Sequence, residues 1–142
     1  MFDTAYSMIG AAVTLLVVAF AFIKGEEPER IGAGAFVFVF IASLLIQDES
    51  NPSNPQWGLM AVDTLLLVVY AGLAWKSGRS WPLWAAACQA LIVMTHVLVL
   101  LDLSPTAIAF YVVTNLAGYG ILVAIAIGTF WAWQDRRAAG LE

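Results

Sequence analysis

Five stretches of this chain are too long, too apolar and too poor in charge to be packed inside a water-soluble domain. They lie at about residues 4–23, 31–46, 57–75, 81–101 and 105–133 of the 142. A helix that crosses the ~30 Å hydrocarbon core of a bilayer needs about 20 apolar residues, and most of the stretches meet that length. The second is short, and it borrows a turn from Pro28, since proline is tolerated at a helix start. The fifth is long, so it must tilt or protrude. Hydrophobic residues make up 62% of the chain and charged ones 11%, against about 25% charged in soluble domains. So few polar side chains could not cover so much apolar surface in water. The expected fold is therefore all-α. It is a single polytopic membrane domain over residues 1–142, a bundle of about five transmembrane helices. Strands are disfavoured because backbone groups in lipid must pair within the segment, and only Phe36–Phe40 alternates with period two.

The loops read as turns. Asn54-Pro55 before the third run looks like a cap followed by proline, and Ser80-Trp81-Pro82 opens the fourth. Asp102-Leu103-Ser104-Pro105 again places a capping residue before proline. Met1–Thr4 carries no Lys or Arg, so the first run reads as a retained span and not a cleaved leader.

Five spans place all 6 basic residues at one membrane face. Lys24 and Arg30 lie in the first loop, Lys76 and Arg79 in the third, and Arg136 and Arg137 after the last run. By the positive-inside rule the C-terminus is cytoplasmic and the N-terminus outside. Five of the 6 Trp (Trp75, Trp81, Trp84, Trp131, Trp133) fall at the basic ends, with Phe2, Tyr6 and Trp57 at the other. This reads as an aromatic belt at each interface. The expected residence is a bacterial cytoplasmic (inner) membrane.

Asp63 is the first candidate for chemistry. It lies seven positions inside the third run from Gln56, and a carboxylate at that depth must turn inward and find a partner. His96, the single histidine, lies six positions before Asp102 in the fourth run. At 1.5 Å per residue both sit roughly 10 Å below the outer surface. Tyr111 on the fifth run has about the same depth, and Asn115 is one turn deeper. Gln89 shares a helix face with His96, and Tyr70 lies seven residues from Asp63. With Tyr119 continuing the line from Tyr111 and Asn115, these residues are expected to form a polar seam. Such a seam would serve as a ligand or proton pathway gated by Asp63 and His96. The plainer reading is interhelical hydrogen bonding, worth ~0.6 kcal/mol a pair.

Other features read as structural. Gly120, Ala124 and Gly128 are spaced for close helix approach, either within the bundle or between copies. Cys88 reads as a small packing residue. Glu26-Glu27-Pro28-Glu29 reads as a solvated loop, as do Asp48 and Glu49, which could otherwise attract cations.

Several classes are excluded. The spans contain no lysine for a retinal Schiff base. One histidine cannot ligate haem from both sides within one chain. A lone cysteine supports no thiol pair, and no nucleotide-binding loop, nucleophile elbow or zinc-protease motif occurs. Nothing in the charge pattern suits nucleic acid. The sequence names no cofactor and no metal site. The expected partner is the bilayer itself, with a homo-oligomer or a larger membrane complex. The preferred function is a small oligomeric transporter or channel with its Asp/His site near the outer leaflet, more a non-enzyme than an enzyme. The alternatives are an accessory or assembly subunit and a lipid-, quinone- or pigment-binding protein.

Overall fold

A computed structural model describes residues 5–46, 50, 55–103 and 106–142. Phe2, Asp48, Glu49, Asn54, Ser104 and Pro105, to which the sequence assigns belt, loop or capping roles, lie outside the described residues. The described chain forms five helices: α1 (Ala5–Lys24), α2 (Glu27–Ile46), α3 (Trp57–Ser77), α4 (Trp81–Leu100) and α5 (Ala107–Ala138). All five are long and apolar enough to cross a membrane, with mean hydropathy between 1.8 and 2.3 in their best windows. The first four, at 20 or 21 residues, are ~30 Å long and match the hydrocarbon thickness. At 32 residues, α5 exceeds it by about half.

Much of the large apolar surface faces outward. Leu16 is 71% exposed, Leu45 80% and Ile108 78%. Water would not tolerate such a surface, whereas lipid solvates it at no cost. Trp75, Trp84, Trp131, Tyr6 and Trp57 are also exposed, as an interfacial belt requires. Trp133 is half-buried against Phe20, and Trp81 is buried, at 3% exposed.

Each helix packs on its neighbours in the chain, α5 closes the ring onto α1, and α2 touches α5 across it. The ends follow local chemistry. Only Gly25 and Glu26 separate α1 from α2. A Cβ on Gly25 would lie 2.3 Å from the Ala21 carbonyl oxygen, so this tight reversal requires glycine. Glu26 precedes α2, and its N–H donates to Glu29 Oε2 at 2.9 Å. This is the returning half of a capping box, and it starts α2 four residues before the apolar run begins. At its other end α4 stops in a Schellman turn. Asp102 takes φ 57°, Leu103 N–H donates to Leu98 O at 2.9 Å, and Asp102 N–H donates to Val99 O at 3.2 Å. The cap of α5 is the Thr106 side chain, which accepts from the Ala109 N–H at 3.2 Å.

The core lies toward the basic end of the bundle, and Trp81 is its centre. A Cβ on Gly32 of α2 would fall 2.4 Å from the indole, and one on Gly128 of α5 would fall 2.2 Å from it. The two glycines make a notch that admits the ring. Tyr70 of α3 stands edge-on to it, with centroids 6.3 Å apart. Residues of α2, α3 and α5 thus converge on one side chain from the first turn of α4. Further along, a Cβ on the half-buried Gly120 would meet Cys88 Sγ at 2.8 Å, and Ala124 and Gly128 are buried. The small residues of α5 are therefore used inside the bundle.

Candidate functional site

A carboxylate inside a membrane helix must be neutralised or hydrogen-bonded at both oxygens. Asp63 on α3 achieves the second through α4 alone. His96 Nε2 lies 2.8 Å from Asp63 Oδ2. Gln89 Nε2 donates to Asp63 Oδ1 at 3.1 Å and to the Asp63 backbone carbonyl at 3.0 Å. His96 and Gln89 are two turns apart on one face of α4, so their side chains bracket Asp63 from above and below. The burial is deep: side-chain exposure is 14% for Asp63 and 8% for His96, and Gln89 is 1% exposed.

With Nε2 held by the carboxylate, the ring orientation of His96 is fixed. The ring also lines a crevice of about 10 Å³, together with Trp57, Met60, Leu100 and Phe110. That is room for about one water. Phe110, at 6.3 Å between ring centroids, is the α5 residue that packs beside His96. The arrangement orients an imidazole against a carboxylate at the edge of a crevice with room for about one water, which suits proton exchange.

The other sequence-derived candidates lie elsewhere. Tyr70 is fully buried, and its hydroxyl donates to the Gly32 carbonyl at 3.3 Å, within the Trp81 core. Leu66, 2% exposed, occupies α3 between Asp63 and Tyr70. Tyr111 is 39% exposed, lies one residue and so 100° around α5 from Phe110, and packs its ring edge-on against Phe110, the ring that stands beside His96. Asn115 is exposed and donates to the Tyr111 carbonyl of its own helix at 2.8 Å. Tyr119 faces α1, where a Cβ on Gly10 would be 3.1 Å from its hydroxyl. The structure therefore gathers Asp63, His96 and Gln89 into one cluster and disperses Tyr70, Tyr111 and Asn115.

A second cluster, at the basic end, replaces the expected solvated loop. Glu29 is fully buried on α2. Its Oε1 accepts from Trp81 Nε1 at 2.9 Å and pairs with Arg79 Nη1 at 3.2 Å. Its Oε2 takes the Glu26 N–H. Arg79 also pairs with Glu26 through Nη2, and Arg136 Nη1 approaches Glu26 at 3.7 Å. Arg136 donates in addition to the Lys24 carbonyl, and Lys24 pairs with Glu142. The Lys24 ammonium and the Arg136 guanidinium hold the Glu142 carboxyl below the usual carboxylate range. The sequence carried only half a signal for Glu29, because a capping box has Glu at this place but Ser, Thr, Asp or Asn where this chain has Glu26. For its burial it carried none, since that depends on where Trp81 and Arg79 arrive. Among the described residues no group of three or more His, Cys, Asp or Glu is placed to hold a metal.

Compared with known proteins, the chain matches no family model, no curated protein and no solved structure.

Proposed function

We propose that this chain is a small membrane transport protein whose Asp63–His96 pair takes up and releases a proton at the face where the crevice opens. The observation that carries this reading is the 2.8 Å carboxylate–imidazole contact, buried between two apolar helices yet bordering a crevice the size of one water. Polar groups that serve only as interhelical glue have no need of water access. An ionisable pair at this depth is also more costly than glue returns. The 6 basic residues orient the chain with the Lys24 end in the cytoplasm. The site then faces the outside, which in a bacterial inner membrane is the proton-rich side. Beyond Gln89 the way to the cytoplasmic end is closed by Leu66, Tyr70, Ile121 and Ile125, each 2% exposed or less. A site open to one face and sealed from the other suits a carrier in one of its states better than a continuous channel. The head of a quinone, lipid or pigment needs more room than this crevice offers.

His96 is the single histidine, so its imidazole ¹⁵N signals in liposome-embedded protein report the site without assignment ambiguity. With the pH clamped on one side and varied on the other, His96 is expected to follow the pH of the crevice side only. Asp63→Asn should change the titration and abolish proton-coupled flux while helix content stays unchanged. A His96 signal blind to pH from both sides between about 4 and 9, or one that Asp63→Asn leaves unchanged, would refute the reading.

A further inference from the structure

Ile108, Tyr111, Asn115 and Gly118 follow one another on α5 in alternating steps of three and four residues. This is the seven-residue repeat of a helix–helix seam. Continued toward the basic end, the same line runs through Ile125 and Thr129, both fully buried inside the bundle. The first half of the line has no such cover. Ile108 is 78% exposed, Asn115 is exposed, and a Cβ on Gly118 would meet nothing within 4 Å. Asn115 gives one amide hydrogen to its own helix at Tyr111 O. Among the described residues no other hydrogen bond of that amide is found.

We propose that this bare half of the line is where two copies of the chain meet in the membrane, α5 against α5. Copies inserted into one bilayer share orientation and depth, so about a twofold axis along the membrane normal each Asn115 meets its own counterpart. The carboxamide carries both donor and acceptor and is therefore complementary to itself. A single Asn in a seam fixes register and favours a defined stoichiometry. One turn on, Gly118 lets the two backbones approach. Lipid chains offer the amide no partner. The interface rests on α5 alone and stands or falls separately from the proton site.

The test has two readouts in liposomes. The first is energy transfer between differently labelled C-termini of the otherwise unaltered chain, followed as lipid dilutes the protein. A dimer is expected, weakened about tenfold by Asn115→Leu, which is the scale of one interhelical polar contact in model helices, and retained in Asn115→Gln. The second is cross-linking of single cysteines in a Cys88→Ala background. Ile108→Cys, Tyr111→Cys and Asn115→Cys should link to twice the chain mass, and Ala109→Cys and Val113→Cys on the other side of α5 should not. A monomer at every dilution, indifference to Asn115→Leu, equal linking around the helix, or linking only to a different polypeptide would each overturn the proposal.

Discussion

Replacing Arg79 with alanine is expected to destabilise the bundle by about 3 kcal/mol, far more than a surface ion pair is worth. The reason lies with its partner. Glu29 is fully buried, and Arg79 supplies the only cation within ion-pair distance of it among the described residues. Removing one member of a buried pair costs about 3–5 kcal/mol because the other charge stays behind without compensation. Glu29 keeps two hydrogen bonds, from Trp81 Nε1 and the Glu26 N–H, which places the cost at the lower end. Glu26 is 38% exposed in its side chain, so Glu26→Ala should cost under about 1 kcal/mol although it contacts the same guanidinium. Arg79→Lys should fall between, since a single ammonium cannot serve both carboxylates with the geometry of a fork. Reversible unfolding in mixed detergent micelles measures all three. Equal losses for Arg79→Ala and Glu26→Ala would mean that Glu29 is not the residue Arg79 serves.

Trp81→Ala is expected to be comparably damaging, at about 2–3 kcal/mol. Truncating a buried Trp in a soluble core costs about 3–5 kcal/mol. Part of that is transfer from water, which a lipid reference state removes, leaving the packing loss and the cavity. Here the cavity would open between Gly32 and Gly128, where the backbones of α2 and α5 have no side chains of their own to fill it. Glu29 would also lose a donor. Trp81→Phe should cost less, because the ring still occupies the notch and only the indole N–H is lost. The reverse change, Gly128→Leu, should be as harmful as Trp81→Ala, because its Cβ alone would overlap the indole. If Gly128→Leu were neutral, the ring would not be held in the notch as described.

Much of the architecture is legible from the sequence because membrane helices obey a strong local rule. Each run must satisfy its own backbone and solvate its own side chains in lipid, so length and apolarity suffice to find α1, α3 and α4. The pairing of Asp63 with His96 was also legible, since helical spacing put both at matched depth; Gln89 was legible only as a residue on the His96 face, and its bond to Asp63 came from the structure. What failed was the step from depth to direction. Tyr111 has the right depth, but Phe110 carries the inward face, and a one-residue error turns a side chain by 100°. Periodicity could not correct it, because lipid-facing and core-facing positions are both apolar and leave only a weak amphipathic signal. The same blindness hid Trp81. Composition assigned it to the interface with Trp75 and Trp84, and only the glycines of two other helices reveal the space made for it. Glu29 was misjudged for the opposite reason. A run of three acids looks solvated until the arginine and the indole that satisfy one of them are brought in by a different loop.

The distribution of ties along the bundle is lopsided. At the basic end a two-residue reversal, a ring of ion pairs and one indole lodged in two backbones bind the helices together. At the other end the first turns of α5 meet α4 through Phe110, which packs beside His96, while Thr114 bonds only its own helix and most side chains around them are exposed. A bundle fastened in this way has a gradient of stiffness along its axis, with a fixed root and a compliant rim. Thermal tilting of α5 about that root produces its largest displacements at the rim, beside the Asp63–His96 pair. A small rotation at the root would therefore be felt by the Asp63–His96 pair through Phe110, the α5 ring packed beside His96.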